Sequence, residues 1–461
     1  MAEIETPVES YLAAGRERRI ATFSDFLRIP SVSADPAFAA DVHRAAEWLG
    51  ERLRTAGLDH VDVSETGGHP MVYADWLGAA DAPTIVVYGH YDVQPPDPLA
   101  EWSSPPFEPA VVGHRILARG ASDDKSNISI FIEAVQALLA TRGRLPVNLR
   151  FVFEGEEEAG SEHLEGWLAA NRERLGGDVA IISDVGFFEG NLPALTIALR
   201  GIMSAEITVT GPFQDVHSGV YGGAVANPVN ALATIIAALK GPDGRIRIPG
   251  FYDDVVPLTD DDRAAYAALP FDDEAYREFL GVPELVGEAG YTTLERKSGR
   301  PTLDINGIWG GYQGEGGKTI IPGRAAAKLT CRLVPNQDPD RIVEGLKAFI
   351  EEIAPPGVRV RIDPQGGGHP IRSSIDHWAV DAAAKALEDT FGRPPLFIRE
   401  GGSIPFVATF EQALGLPVVL MGFMPPDGNF HAPNEWMDLD NFEAGIRAVI
   451  RVFDGFAASA P

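Results

Sequence analysis

The chain has a single cysteine, Cys331, in 461 residues. That excludes an intrachain disulfide and any zinc cluster built from several thiolates. Basic residues are scarce too: 38 Lys and Arg stand against 66 Asp and Glu, for a formal net charge of −28. A field of that sign repels a phosphate backbone, so nucleic acid is not an expected partner. No apolar run approaches the ~20 residues of a membrane span, so no membrane partner is expected either. The opening MAEIETPVESYLAAGRERR has neither the basic nor the apolar stretch of a signal peptide. A cytoplasmic protein is the expectation. With thiolate excluded, a transition-metal site must be built from carboxylates and the 10 histidines.

What is present is globular. Hydrophobic residues make up 45% and charged residues 23%, which excludes a disordered chain or a coiled coil. At ~150 residues per domain the length suggests two or three domains. Helical spacing runs over 7–28 and 36–56, with Asp35 placed to cap the second helix and Pro36 at its first position. Continuous apolar runs at 84–88, 147–153 and 179–182 read as strands buried on both faces. Helices at 125–139 and 161–174 alternate with them, which is the pattern of an α/β sheet. Beyond Arg200 the texture changes. Strands at 203–210, 328–334 and 358–362 alternate like half-exposed ones, helices fit 227–239 and 342–353, and 241–301 has little periodicity. After about Pro370 the first style returns, with a helix at 379–391, a buried strand at 417–421 and a closing helix at 440–456. The pattern predicts a two-domain α/β protein. Its mixed-sheet domain, 1–200 plus 366–461, is interrupted by an inserted α+β domain, 201–365.

Five short polar segments carry the chemistry. Gly89-His90-Tyr91-Asp92 follows a buried strand, where open α/β sheets gather ligands. Extended backbone directs His90 and Asp92 the same way, so the carboxylate can hold one ring nitrogen while the other meets a metal. Asp123-Asp124-Lys125 precedes an apolar helix. Glu154-Gly155-Glu156-Glu157-Glu158 crowds four carboxylates into five positions, which is costly unless water or cations neutralise them. Ser183-Asp184 ends another strand, and Phe430-His431 lies in a Pro/Gly-rich loop. Taken singly, each segment also fits an ordinary polar turn or a helix cap. Together they put two imidazoles and three carboxylates at the strand ends of one sheet, a ligand set for two Zn²⁺ or Mn²⁺ ions.

In order along the chain, GHYDVQP, RGASDDK, EGEEEAGS, SDVG, DVHSGVYGG, REGGSIP and FHAPNE resemble the M20 metallopeptidases, most of all their carnosinase-like dipeptidases. The resemblance implies a metal-binding catalytic domain, an inserted lid and dimerisation domain, and two divalent ions per subunit, Zn²⁺ ahead of Mn²⁺. It implies His90 and Asp184 on one metal, Glu158 and His431 on the other, and Asp123 bridging both around a shared water or hydroxide. Glu157 is the implied general base and Asp92 the partner of His90. A cis peptide is implied at Asp123–Asp124. His217 is implied to reach the active site of the partner in a homodimer and polarise the scissile carbonyl. Arg332 would hold the substrate carboxylate by its planar fork. The Gly401, Gly402 and Ser403 loop would contact substrate, with Asn306 and Thr319 lining the pocket.

The implied activity is hydrolysis of the amide bond of dipeptides, with N-acyl-amino-acid hydrolysis or carboxypeptidase action as the alternative. One departure stands out: Ser126 occupies the position where the family pattern has glycine. A glycine-rich stretch at 311–319 has superficial phosphate-loop character, but Tyr312 stands where the first glycine is required.

Overall fold

The computed structural model describes residues 6–402 and 405–461. The chain divides into two compact units. One comprises Met1–Ile197, Ser373–Ile398 and Thr409–Pro461; the other comprises Ala198–Arg372 and Arg399–Ala408. The division differs from the expected boundaries in three short stretches, 198–200, 366–372 and 399–408, which join the second unit. Hydrogen bonding accounts for them. Strand Arg359–Gly368 continues along Gly201–Thr210, Ile371–Arg372 pairs with Ala198–Leu199, and Arg200 holds the carbonyls of Gly401 and Gly402.

The first unit is built on a mixed sheet. Its strands lie in the order Asp59–Ser64, Met71–Trp76, Asn148–Glu154, Thr84–His90, Val179–Ile182, Val418–Leu420. Thr84–His90 is buried along nearly its whole length, as its unbroken Ile85–Tyr88 run requires in a sheet covered on both faces. It runs parallel to Asn148–Glu154 and Val179–Ile182, and Val418–Leu420 is parallel to Val179–Ile182. The carboxyl ends of these four strands therefore share one edge. His90 ends the first, the segments bearing Glu157 and Asp184 leave two others, and the loop bearing His431 leaves the fourth. Helices Thr6–Leu27, Ala39–Ala56, Lys125–Arg142, Trp378–Phe391 and Leu439–Ser459 contribute to one apolar core with this sheet. Asp35 does cap, accepting from Ala37 N at 2.9 Å, but the turn it opens is a 3-10 turn, Pro36–Phe38, ahead of the helix. The helix read over 161–174 is only Leu164–Asn171, because Ser161 sits at a left-handed φ of 53° where an α-helix cannot begin.

The second unit carries a four-stranded antiparallel sheet, ordered Thr302–Gly310, Arg324–Leu333, Gly201–Thr210, Arg359–Gly368. Ile207, Ala327 and Leu329 from the sheet share a core with Leu232 and Ile235 of helix Pro228–Leu239 and Leu346 of helix Pro339–Ile353. Cys331 is buried in the same core, where burial pushes its thiol well up, so it is a packed residue and no nucleophile. The aperiodic stretch holds two short α-helices and a π-helical turn, Glu295–Gly299. Asp260–Ala268 starts with a Thr259–Asp262 capping box, and Asp273–Leu280 is capped by Asp272. Only Tyr266 is buried in either, so their sequence signal lies in the caps and not in an apolar stripe.

Candidate metal centre

The strand ends bring two ligand groups together around Asp123. His90 Nε2 lies 3.0 Å from Asp123 Oδ1 and 3.9 Å from Asp184 Oδ1. His431 Nε2 lies 3.0 Å from Asp123 Oδ2 and 3.5 Å from Glu158 Oε2. Asp123 thus turns one oxygen toward each imidazole. Within each group, His90–Asp123–Asp184 and Asp123–Glu158–His431, the ligand atoms lie within 4.8 Å of one another. The Asp123–Asp124 peptide is cis. Ser126 is accommodated where glycine was the family pattern: its hydroxyl is buried and donates to the Ser122 carbonyl at 2.9 Å.

The electrostatics fit a cation pair. Burial pushes the Glu157 carboxyl well above the ordinary range, and its neighbours Asp184, Glu158 and Asp123 push the same way against His90. Burial and Asp123 lift Glu158 to about 8 and Asp184 to about 6. Burial also acts to raise Asp123, but hydrogen bonds from His431 and His90 outweigh it and hold this carboxyl low. Asp123 in turn raises His431 to about 9. Without added positive charge these acids compete for protons. Two divalent cations among two imidazoles and three carboxylates would relieve that, and the all-N/O donor set suits Zn²⁺ or Mn²⁺.

Comparison with known proteins fits this arrangement. The model of peptidase family M20/M25/M40 matches residues 86–454. The Cys-Gly metallodipeptidase of Schizosaccharomyces pombe is 34% identical over 97% of both chains. The chain belongs to peptidase family M20. Among solved structures, human carnosine dipeptidase 1 superposes with a TM-score of 0.85, at 30% identity over 98% of both chains. The metallo-carboxypeptidase Sso-CP2 of Sulfolobus solfataricus gives 0.85, at 33% identity over 95% of this chain and 99% of its own.

Around the candidate ligands of this M20 chain, a net of hydrogen bonds fixes their positions. Asp92 is fully buried beside His90 Nδ1, its Oδ1 at 3.4 Å and its carbonyl at 3.2 Å. Asp92 Oδ2 accepts from Glu158 N at 3.0 Å and Oδ1 from Glu157 N at 3.3 Å, so one carboxylate steadies both His90 and the glutamate turn. Sequence reasoning missed its partner: the Ser33 hydroxyl donates to Asp92 Oδ2 at 2.6 Å. It also missed Gln94, whose amide donates to Glu158 Oε2 at 2.7 Å, although Gln94 sits inside the GHYDVQP segment. The buried Asn127 amide donates to Asp124 Oδ1 at 2.8 Å and to the Ser183 carbonyl at 2.7 Å, and accepts from Phe423 N at 3.0 Å. Asn127 thereby joins three of the ligand-bearing segments.

The remaining candidates belong to the second unit. His217 is exposed, and its Nδ1 accepts from Gly219 N at 3.0 Å, capping the turn Ser218–Tyr221. Arg332 is half-buried on Arg324–Leu333, opposite Thr302 and Ile202. Asn306 is exposed at the irregularity between Ile305 and Gly307, and Thr319 is exposed, its carbonyl accepting from Ser218 N at 3.1 Å. Gly402 is exposed and its carbonyl accepts from Arg200 N at 3.2 Å; Ser403 lies outside the described residues. Arg200 is a further residue the sequence did not single out. Its Nε donates to the Gly401 carbonyl at 2.8 Å, so its side chain and backbone together hold the glycine pair.

Proposed function

We propose that this chain is a dinuclear metal-dependent dipeptidase, with two divalent cations per subunit, Zn²⁺ ahead of Mn²⁺. The observation that carries the reading is Asp123, one carboxylate shared by two ligand groups and facing an imidazole with each oxygen. His90 and Asp184 would hold one cation, Glu158 and His431 the other, with Asp123 between them. Such a pair would acidify a water and polarise the scissile carbonyl. Glu157 accepts the proton of the attacking water and passes it to the leaving amine. Arg332 holds the substrate carboxylate, while Gly402, Ser403, Asn306 and Thr319 line its pocket. We place the enzyme in the cytoplasm. Among the described residues, no helix is long and apolar enough to cross a membrane.

The first unit is the catalytic domain in this proposal, and the second is the lid and dimerisation domain. His217 of the partner subunit stabilises the oxyanion. The exposure of His217, with Val220, Tyr221 and Val225 exposed along the same segment, supports a covered role in a dimer. Sedimentation at micromolar protein tests this, and a fully active monomer would exclude it.

The function is tested by reloading metal-free protein with Zn²⁺ or Mn²⁺ and assaying dipeptides, N-acetyl amino acids and longer peptides. Dipeptides are expected to be cleaved. Turnover of N-acyl amino acids with dipeptides inert would sink the reading. A second reading, carboxypeptidase action, is favoured by the likeness to Sso-CP2. It predicts that longer peptides lose their C-terminal residue at rates matching dipeptide cleavage.

A further inference from the structure

Three ligand-bearing segments meet on one buried ion pair with no role in the chemistry above. Glu435 and Arg119 are both buried. Arg119 Nη1 donates to Glu435 Oε2 at 2.8 Å, and Arg119 Nη2 donates to the Pro95 carbonyl at 3.2 Å, in the segment that begins with His90. The same carboxylate accepts three backbone N–H groups, from Gly120 at 2.8 Å, Ser122 at 2.9 Å and Asp123 at 3.0 Å. Two bonds run alongside: Ala118 N donates to the Glu435 carbonyl at 3.1 Å, and the Ser122 hydroxyl donates to the Trp436 carbonyl at 2.8 Å. Residues 118–123 are thus laced to 435–436.

The lacing bears on one metal group in particular. The last N–H held by Glu435 belongs to Asp123, and His431 lies four residues before Glu435 in the same loop. That loop has an unfavourable backbone. Asn429, His431 and Asn434 adopt φ of 55°, 59° and 60°, a left-handed region that side chains rarely enter. Such a loop needs an anchor to keep His431 3.0 Å from Asp123. A carboxylate is suited to the task, since four converging donors require an acceptor-only group with several lone pairs. Glutamine would turn an N–H against one of them.

We infer that Glu435, with Arg119 behind it, is a positioning residue that sets the Asp123–His431 spacing, and with it the cation affinity of the Asp123–Glu158–His431 group. It acts through the backbone of Asp123 and the His431 loop, without touching cation or substrate. The inference rests on the metal-dependent reading proposed above, though not on the choice of substrate.

The test is titration of the metal-free full chain with Co²⁺ alone, followed by visible absorption and calorimetry without substrate. The parent is expected to bind in two steps. Glu435→Gln should weaken one step about 10–100-fold, the range for losing an outer support of a ligand, and leave the other close to the parent's. Arg142→Met is the control. It breaks the Arg142–Asp454 pair (2.6 and 3.0 Å) in the same unit, and should lower the melting temperature without moving either step. Should Glu435→Gln fail to fold, Arg119→Lys keeps a cation at Glu435 but gives up the Pro95 contact, and should weaken the same step by a smaller factor. Parental affinities in a folded variant would overturn the inference, as would equal weakening of both steps. A parent that takes up no Co²⁺ would overturn the metal reading and the inference together. Two-step binding with inert dipeptides would overturn the dipeptidase reading alone.

Discussion

The two ligand groups share Asp123 and are otherwise built in opposite ways. His90 ends a strand, is completely buried, and has its ring set by Asp92, which the Ser33 hydroxyl fixes in turn. His431 lies in a loop with left-handed backbone, its side chain 55% exposed. The sheet itself supplies one group. The other is a loop product, held in place by contacts to the 119–123 segment. A cation in the first group would meet ligands already in position, whereas the second depends on how well a loop is tied down. Glu157 belongs to neither group, so chemistry and cation binding should be separable by substitution.

The largest effect is expected at that point of separation. Glu157→Gln keeps the size of the side chain and removes its basicity. It should retain both cations and lose about 10²–10⁴ in kcat. Metal content by elemental analysis alongside turnover checks this. A variant with parental kcat would refute the assigned base, and one that loses cations would make Glu157 a ligand.

The buried group should also matter for stability before any cation binds. Burial opposes a charge on His90, but bonds to Asp123, Asp184 and Asp92 outweigh it and raise its pKa well above 6.5. In the cation-free protein it is therefore an imidazolium among carboxylates. His90→Ala leaves buried acids unpaired and should cost about 3–5 kcal/mol. Because the folded pKa is raised, the contribution is fully present below the unfolded value of about 6.5 and fades as the pH rises through the folded one. Urea unfolding in chelator near pH 6 should therefore show the largest difference, shrinking toward alkaline pH. A loss that grows with pH would contradict the charge assignment.

Asp92→Asn tests how far the first group owes its order to one carboxylate. The amide can still reach His90 Nδ1, but it places an N–H against donors at Glu157 N, Glu158 N or Ser33. Affinity at the His90 group should drop about 10–100-fold by Co²⁺ titration. Unchanged affinity would mean that strand geometry alone orients His90.

The contrast between the groups also explains what could be read in advance. Ile85–Tyr88 and Val179–Ile182 are apolar without interruption, and such runs announce buried strands wherever they occur. His90 and Asp184, one at such a strand's end and one just past it, could be found by position as well as by type. Edge strand Thr302–Gly310 and helix Asp260–Ala268 escaped because each buries almost nothing and is fixed by pairing or caps. The supports around the ligands escaped for another reason. Ser33, Gln94, Arg119 and Glu435 act across separations of 24 to 316 residues, which no local periodicity encodes. His431 was legible only through its motif, since nothing in a Pro/Gly-rich loop predicts a left-handed histidine.

That last residue offers the smallest expected effect and the sharpest contrast. In the cation-free protein, His431 gives up a half-exposed pair with Asp123, worth about 0–1 kcal/mol at such exposure. His431→Gly forfeits that pair and adds about 0.5–1 kcal/mol of chain entropy, but it relieves a left-handed φ that costs a side chain about 1 kcal/mol or more. The terms nearly cancel, so stability in chelator should stay within about 1 kcal/mol of the parent. The same variant should lose one of the two Co²⁺ steps outright. A loss approaching that of His90→Ala would mean that the loop is as integral to the fold as the strand, and would erase the distinction between the two groups.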